Sequence, residues 1–588
     1  MMRNYIGLAH SFHDSALAIV NAGGEVVFAE GTERPLQCKR ALCIAPDLVH
    51  HVGEIIRKYC DRDAEIVLAR SWKSSEAAPP EAALRSLEQQ RRLLEERFVQ
   101  LPEGLRTEIV ATKHGILSMW KARAFAGHSI EFELDRIGWK NAFIARDVGY
   151  DHHLTHAAAA CFSSPFANAV CAVVDALGEE VATAYFSYRD GRLTPFEVQS
   201  GAPGVTGFGS LASLGLFFIK VCLACGFGVH TGEEWKVMGL AAYGTHDEEL
   251  LGVFRGMIAA TGLSLEATGD PIPERLALYE LRCGALASQQ RAADIALAGQ
   301  QVFKETLMEL LNNLHRATKA DNLVLGGGCA LNSSANGAVL HETRFSALHT
   351  FCAPADDGNA VGAALLAYLE DHPDAKPRGS VLTPYLGSRM EAETLANTLR
   401  FSGQTHVVKC GAEAPMKAAE MLAAGKIIGW IQGRAEFGPR ALGNRSILAD
   451  PRSAKVKEDI NTRVKFREQF RPFAPAILHE AGEEYFENYQ ESPYMERTLR
   501  FRPEMRARVP GVVHVDGTGR LQTVKEEWNA PFYRLIRHFY RLTGVPLVLN
   551  TSFNVMGKPI AHSVEDVLAV LFSTGLDAVF VEELLIEK

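Results

Sequence analysis

The sequence predicts an α/β protein with two domains, the first of which contains a duplicated α/β unit. Three observations support this class: the composition is that of a globular protein, one strand pattern occurs twice, and a polar segment divides the chain. The chain has 588 residues, of which 47% are hydrophobic and 22% are charged. That length allows more than one hydrophobic core, so we expect at least two large domains.

The duplicated pattern begins at residue 5 and returns at residue 169. The first copy, "YIGLAHSFHDSALAIVNAGGEVVFAEGTER", predicts a strand, a polar loop, a second strand, a turn and a third strand. The second copy, "AVCAVVDALGEEVATAYFSYRDGRLTPFEV", follows the same order with an acidic, glycine-containing loop after its first strand. Two such copies predict two facing halves with a cleft between them.

A further strand and turn fit the same domain. The segment "DNLVLGGGCALNSSANGAVL" predicts a strand, a triple-glycine turn and the start of a helix. Backbone N–H groups at such a junction suit a phosphate or a nucleotide sugar. We therefore predict that Gly326, Gly327 and Gly328, together with Asn332, bind a cofactor; the alternative is a tight crossover without a ligand.

A polar segment predicts the boundary between the domains. Residues 371–383, "DHPDAKPRGSVLT", are rich in proline, glycine and charge. The predicted domains are therefore 1–372 and 384–588. The second domain is expected to begin with a helix over 413–424 and a strand over 427–431.

Charge and cysteine content exclude several classes of protein. The net charge is −9 and the isoelectric point is about 6.2, which argues against broad binding to nucleic acid or to an anionic membrane. Eleven cysteines without a pattern or a signal peptide predict reduced thiols and a cytoplasmic location. The apolar run 211–229 contains Lys220 and predicts a buried helix rather than a membrane span.

Two histidines and two acidic loops predict a metal site. His152 and His156 are four residues apart in "DHHLTHAAAACF", so a helix places both on one face. Asp175 follows a predicted strand, and Asp356 and Asp357 lie in "APADDGNAVGAA". Two imidazoles with carboxylates would suit Fe(II), Mn(II) or Zn(II). We predict His152, His156, Asp175 and Asp356 as ligands, with Asp357 as the alternative to Asp356; the competing interpretation is a pair of surface or capping histidines.

Three other polar residues of the first domain are candidates for chemistry or binding. His13 and Asp14 lie on the first polar loop, where a histidine of near-neutral pKa is a natural general base for a hydroxyl or an amine. The alternative is a pair that only stabilises the turn. Lys236, in "GEEWKVMGLAAYG", predicts a phosphate or substrate contact, although a solvated lysine fits equally well.

An arginine-rich segment of the second domain predicts an anion site. Between residues 434 and 473 the sequence has ten Lys and Arg but only five Asp and Glu. Glycines, a proline and a phenylalanine flank Arg440. A guanidinium on a fixed loop suits bidentate recognition of phosphate. Donor-rich segments follow at Arg520 and at "VPLVLNTSFNVMGKP", which contains Ser552 and Asn554. Together they predict a site for a triphosphate or several phosphates.

The chain resembles the NodU/CmcH-type O-carbamoyltransferases in order and spacing over nearly its whole length. In the second domain the resemblance rests on "GRAEFGPRALGNRSILADPR", "KFREQFRPFAPAIL", "HVDGTGRLQTV" and "LNTSFNVMGKPI". In the first domain it rests on "HHLTHAAAA", "EEWKVMGLAAYG", "GGGCALN" and "APADDGNAVGAA". The resemblance implies an actin/sugar-kinase-like N-terminal domain and a YrdC-like α/β C-terminal domain.

The resemblance also implies a two-step reaction. The second domain would join carbamoyl phosphate and ATP, with Mg²⁺, into carbamoyl-adenylate and release pyrophosphate, using Arg440, Lys465, Arg471, Arg520, Ser552 and Asn554. The first domain would then transfer the carbamoyl group to the hydroxyl of a small natural product, with Fe(II) or another divalent metal on the predicted ligands and His13 taking the proton. We expect neither nucleic acid nor a membrane as a partner. A homodimer is the one oligomeric state that we expect as an alternative to a monomer.

Two segments depart from the family pattern. Family members often have glycine directly after the strand-end aspartate, whereas this chain has Asp175-Ala176-Leu177-Gly178, and residues 33–47 match the usual basic loop only loosely. The rival hypotheses are a tRNA threonylcarbamoyladenosine-type enzyme, which would need a basic tRNA surface, and a non-catalytic nucleotide-binding regulator. A hydrogenase-maturation carbamoyltransferase would carry paired CxxC zinc fingers, which this sequence lacks.

Overall fold

The computed structural model describes residues 2–62, 64–73, 81–98, 100–140, 142–179, 181–196, 212–228, 232–268, 271–376, 381–401, 403 and 406–588. The chain divides into two compact units. Unit 1 comprises Met1–Thr32, Arg40–Leu331 and Ala338–Leu382. Unit 2 comprises Glu33–Lys39, Asn332–Gly337 and Thr383–Lys588, so two short segments of the first predicted domain group with the second.

Unit 1 contains two five-stranded sheets with the same connectivity. The first has the order β3-β2-β1-β4-β5, with an antiparallel meander followed by two parallel strands. Its strands are β1 Arg3–Ala9, β2 Ala16–Val20, β3 Val26–Gly31, β4 Glu65–Arg70 and β5 Ile144–Gly149.

The second sheet has the order β8-β7-β6-β11-β12, again a meander followed by two parallel strands. Its strands are β6 Asn168–Val174, β7 Thr183–Arg189, β8 Arg192–Pro195, β11 Asn322–Gly326 and β12 Ala347–Thr350; a separate hairpin pairs β9 Ile258–Thr261 with β10 Ser264–Ala267. The matching strand orders confirm the duplicated α/β unit predicted from the sequence.

Helices alternate with these strands along the chain. Before residue 383 the described helices are α1 Glu33–Leu36, α2 Val52–Tyr59, α3 Glu81–Glu95, α4 Glu103–Phe125, α5 His128–Ile137, α6 His152–Phe162, α7 Leu214–Ala224, α8 Glu234–Ala241, α9 Glu248–Arg255, α10 Pro271–Ala287, α11 Gln289–Thr318, α12 Ser333–Glu342 and α13 Asn359–Asp371. Among the residues described, no helix has the length and apolar character needed to cross a membrane. The apolar run at 211–229 forms the short α7, as predicted; its first and last residues lie outside the described part of the chain.

Helices α6 and α13 pack against each other through small residues. The core around them contains alanines of both helices, such as Ala157, Ala160, Ala363 and Ala367. At Gly362 a Cβ atom would lie 2.0 Å from the carbonyl oxygen of Thr155 on α6. Only glycine permits this close approach, which fixes α6 relative to α13.

Unit 2 is built on one nine-stranded mixed sheet with the order β13-β21-β20-β14-β15-β19-β16-β18-β17. Its strands are β13 Val407–Lys409, β14 Ile428–Ile431, β15 Arg445–Ala449, β16 Ala474–Leu478, β17 Arg497–Arg500, β18 Thr518–Val524, β19 Leu547–Ser552, β20 Ala578–Val581 and β21 Leu584–Glu587. Its helices are α14 Ala392–Phe401, α15 Ala414–Ala423, α16 Val456–Ile460, α17 Gly482–Tyr485, α18 Pro503–Arg506, α19 Ala530–Thr543 and α20 Val564–Ser573. The predicted helix and strand are confirmed as α15 and β14, but the expectation that they begin the domain is wrong, because α14 and β13 precede them.

Candidate functional site

Four polar side chains of unit 1 converge at the ends of three segments. His152 and His156 lie one turn apart on α6, Asp175 follows β6, and Asp356 opens the short turn before α13. One ligand atom of each lies within 4.8 Å of the others, and all four residues are buried. These are the four residues predicted as metal ligands; Asp357 instead accepts the N–H of Gly358.

The four groups face one another symmetrically. Nε2 of His152 lies 3.4 Å from Asp175 Oδ2 and 3.6 Å from Asp356 Oδ1. Nε2 of His156 lies 3.5 Å from the same two oxygens. Two imidazole nitrogens and two carboxylates at this spacing form the donor set that a divalent metal ion prefers. The residues therefore fit a metal ion.

Neighbouring groups fix the orientation of His152. Nδ1 of His152 lies 3.3 Å from the carbonyl oxygen of Ser71, a contact that favours a proton on Nδ1 and a lone pair on Nε2. The Trp72 ring stacks on the imidazole at 4.1 Å between centroids. At the start of α6, Asp151 accepts the N–H of Leu154 and Glu179 accepts the N–H of His152. The helix thus presents both imidazoles in fixed positions.

The charges of this cluster shift its pKa values strongly. Burial acts to lower the pKa of His152, but attraction to Asp356 and a hydrogen bond with Asp175 outweigh it and raise the pKa to about 10. Burial lowers the pKa of the neighbouring His153 to about 3, and His152 adds to that effect. The two carboxylates therefore make the His152 side of the cluster a strong site for positive charge.

The predicted triple-glycine turn contacts the acidic cluster. The N–H of Gly328 donates to Asp175 Oδ1 at 2.9 Å. Gly327 has φ +86°, and a Cβ there would lie 2.4 Å from the carbonyl oxygen of Val174. Asn332 uses its side-chain oxygen to accept the N–H of Ala335. In this structure the turn orients Asp175, and the cofactor-binding role of Gly326, Gly327, Gly328 and Asn332 stays a prediction.

His13 and Asp14 lie beside the metal-ligand cluster. Nδ1 of His13 is 2.9 Å from Asp14 Oδ2, and the Ser11 hydroxyl, which also bonds the carbonyl of His13, donates to Asp356. Burial acts to raise the pKa of Asp14, but the charges of Arg40 and His13 outweigh it and leave that pKa lowered. Asp14 is therefore placed to orient the imidazole of His13.

Lys236 has a local partner. Its Nζ lies 2.6 Å from Glu233 Oε1 and 5.3 Å from the centre of the Phe227 ring. The side chain is buried on α8 rather than solvated. Its predicted role in cofactor binding stays a prediction.

Five cations gather in unit 2. Lys465 is buried and the four arginines are partly buried; loss of solvent lowers the pKa of four of the five, namely Arg440, Lys465, Arg467 and Arg520. Arg471 is the fifth; its charge contributes to the lowered pKa values of Lys465, Arg467 and Arg520. The cluster, called here the cation cluster, includes all four predicted cationic residues, and it adds Arg467.

The contacts of the cation cluster leave most of its charge uncompensated. Arg471 has a carboxylate partner, Glu468, at 3.2 Å. The guanidinium groups of Arg440 and Arg520 have no hydrogen-bond partner among the described residues, and burial lowers the pKa of Arg440 to about 10. Buried charges without a counterion are costly unless a ligand supplies one. The charge of this cluster therefore suits a polyanionic ligand, and its predicted role as an anion site stays a prediction.

Lys465 is held by the two predicted neutral residues. Its Nζ donates to Asn554 Oδ1 at 2.6 Å and to Ser552 Oγ at 3.2 Å. Lys465 ends a single π-helical turn, Asn461–Lys465, and Phe466 follows with φ +50°. The chain turns at that left-handed residue, with Lys465 buried before it and Arg467 partly buried after it.

The other two arginines of the segment 436–452 have structural partners. Arg445 is 1% exposed and donates to the carbonyl oxygens of Gln432, Gly433 and Asn444. Arg452 binds Asp450 at 2.6 Å. Charge counting along the sequence does not separate these residues from Arg440, because the distinction depends on which carbonyls and carboxylates the fold brings near.

Comparisons with known proteins match both units of the chain. Residues 4–365 match the model described as Carbamoyltransferase N-terminus, and residues 419–588 match the one described as Carbamoyltransferase C-terminus. The chain is 32% identical to protein sll1178 of Synechocystis sp. over 630 aligned positions, covering 100% of this chain and 97% of that protein. It is 35% identical to nodulation protein NolO of Bradyrhizobium diazoefficiens, covering 74% of this chain and 79% of the relative.

Likeness to solved structures is weak. A ROK family protein from Streptococcus pneumoniae in complex with sucrose aligns with a TM-score of 0.30 and 11% identity, covering 63% of this chain and 100% of that one. Such a score adds nothing to the strand topology described above. The family models cover both units and carry the assignment: the chain belongs to the carbamoyltransferase family.

Proposed function

We propose that the protein is an ATP-dependent O-carbamoyltransferase that forms carbamoyl-adenylate in unit 2 and transfers its carbamoyl group to a hydroxyl in unit 1. The observation that carries this proposal is the cation cluster, in which Arg440 and Arg520 have no partner among the described residues. Carbamoyl phosphate and ATP together form a dense polyanion, which such a cluster neutralises.

The first step balances with one water molecule. Carbamoyl phosphate and water give carbamate and phosphate, and a carbamate oxygen then attacks the α-phosphorus of ATP, so that pyrophosphate leaves. Arg440, Arg471 and Arg520 would bind phosphate oxygens, and Lys465 would stabilise the negative charge that develops on them. Mg²⁺ is expected on the triphosphate.

The second step belongs to unit 1. The acceptor hydroxyl would attack the carbamoyl carbon, AMP would leave, and His13 would take the hydroxyl proton while Asp14 holds the ring. A divalent ion, Fe(II) or another metal, held by His152, His156, Asp175 and Asp356, supplies positive charge beside the reacting oxygens when bound.

The acceptor we propose is a small hydroxylated natural product. The chain is acidic overall, with a net charge of −9, which disfavours tRNA as the acceptor. Because carbamoyl phosphate and ATP are cytoplasmic metabolites, we also propose a cytoplasmic location, in keeping with the eleven free cysteines.

The test is pyrophosphate release from ATP in the presence of carbamoyl phosphate. We expect release by the purified protein only when both substrates are present, and its loss in Arg440→Ala and Lys465→Ala. Arg452→Ala is the matched control, because Arg452 lies in the same segment but binds Asp450. Normal release from the Arg440 and Lys465 variants would refute the proposed site.

A further inference from the structure

A buried carboxylate lies at the base of the loop that carries Arg440. Glu436 is 2% exposed, and its Oε1 accepts three backbone N–H groups of the same loop. The donors are Leu442 at 2.7 Å, Asn444 at 2.8 Å and Arg445 at 3.1 Å. All three follow Arg440 within five positions, so one oxygen atom closes the loop around the arginine.

Side chains of the sheet donate hydrogen bonds to two carbonyl groups of the loop. Asn550 of β19 donates to the carbonyl oxygen of Ala441 at 3.2 Å, and Gln522 of β18 donates to that of Leu442 at 2.9 Å. Asn550 also donates to Gln522 at 2.8 Å, which joins the two supports. The same strands carry Arg520 and Ser552 of the proposed site, two residues away in each case.

Stability alone does not account for a carboxylate at this place. The second oxygen of Glu436, Oε2, is buried and has no hydrogen-bond partner among the described residues. A buried carboxylate with one unsatisfied oxygen costs free energy that a neutral acceptor would avoid. What the Oε1 atom provides is a single acceptor strong enough to gather three amides and fix the backbone next to Arg440.

We infer that Glu436 is a positioning residue for anion recognition, which acts through Arg440 by fixing the loop on which the guanidinium is presented. Arg440 itself has no partner among the described residues, so its direction depends on its backbone. A rigid loop lets the guanidinium meet phosphate oxygens without first losing conformational freedom. This inference rests on the anion site in the proposed function and not on the reaction performed there.

The experiment measures binding of inorganic tripolyphosphate by calorimetry, with thermal unfolding recorded for every variant. Glu436→Gln keeps an acceptor oxygen but a weaker, neutral one, so we expect binding weakened by about threefold, between wild type and Glu436→Met. Glu436→Met keeps the volume but removes the acceptor, and we expect binding weakened at least about tenfold. In an Arg440→Ala background, Glu436→Met should raise the dissociation constant by less than about twofold, because both changes disable the same guanidinium.

Glu496→Met is the matched control. Glu496 is a buried carboxylate of unit 2 that accepts the Ser492 hydroxyl and the N–H of Tyr494, and its described side-chain hydrogen bonds include none with the Arg440 loop. Its replacement should lower the unfolding temperature without changing tripolyphosphate affinity. Equal losses from Glu436→Met with and without Arg440, or an equal loss in the Glu496 control, would overturn the inference.

Failure of this inference can be distinguished from failure of the proposed function. Absence of tripolyphosphate binding by the wild-type protein would overturn both this inference and the anion site. Tripolyphosphate binding with the predicted variant pattern, but no pyrophosphate release from ATP and carbamoyl phosphate, would support the inference and contradict the proposed reaction.

Discussion

The charge of a single residue of the cation cluster, Arg520, lowers the stability of the folded protein. Burial and repulsion from Arg440, Arg467 and Arg471 hold the pKa of Arg520 well below its ordinary value. A cation whose pKa is lowered by folding destabilises the folded state at neutral pH, where it is protonated in both states. The cluster therefore resembles other functional sites that trade stability for binding.

Replacing Arg520 tests this trade. We expect Arg520→Met to raise the free energy of unfolding of the ligand-free protein by about 1 kcal/mol and to weaken tripolyphosphate binding strongly. Urea unfolding and calorimetry measure the two effects. Arg452→Met is the control and should bring no gain, because Arg452 already binds Asp450. A less stable Arg520→Met protein would show that the charge is compensated in a way the contacts do not reveal.

The pH dependence of anion binding follows from Lys465. In the ligand-free protein, burial together with repulsion from Arg467 and Arg471 holds the pKa of Lys465 well below its ordinary value. A bound polyanion raises that pKa, so between the two values binding takes up a proton and affinity falls as pH rises. Calorimetry in buffers of different ionisation enthalpy should show proton uptake in wild type at pH values between these two pKa values, and less in Lys465→Met. Proton release on binding would contradict this assignment.

At the scale of elements, the contact of α6 with α13 sets the position of the predicted metal ligands. Both imidazoles belong to α6, and Asp356 lies directly before α13. The close approach at Gly362 is the point where the two helices touch through backbone. A shift of α6 by a few tenths of an ångström would change all four distances between the two imidazole Nε2 atoms and the oxygens of Asp175 and Asp356.

Substitution of Gly362 tests that contact. We expect Gly362→Ala to lower the free energy of unfolding by about 1–3 kcal/mol and to weaken metal binding, because its Cβ would overlap the Thr155 carbonyl. Gly252→Ala on α9 is the control: a Cβ there meets nothing within 4 Å, so it should be neutral or stabilising. Chemical unfolding and metal analysis after dialysis measure the outcome; equal metal content in both variants would count against the role given to this helix contact.

The sequence predicts local elements better than it predicts their partners. The helix of His152 and His156 follows from an alanine-rich run behind Asp151, and the duplicated strand order follows from a repeated pattern. Arg467 and Glu436 were missed as functional candidates because their roles depend on contacts. Arg467 is recognised by its repulsion from Arg471 in the folded chain, and Glu436 by the amides that the loop folds toward it. No spacing rule encodes either.

At the scale of the whole molecule, opposite charges are assigned to different units. Unit 1 holds two carboxylates with two imidazoles, and unit 2 holds the cation cluster within a chain of net charge −9. One site suits a cation and the other suits a polyanion. The two proposed half-reactions therefore should fail independently when one residue in either site is removed.

The most direct test compares His152→Ala with Arg440→Ala in two assays, bound metal and carbamoyl-phosphate-dependent pyrophosphate release from ATP. The proposed division predicts that His152→Ala loses metal and keeps pyrophosphate release, while Arg440→Ala keeps metal and loses release. Loss of both properties in either folded variant, or pyrophosphate release that survives Arg440→Ala, would contradict it.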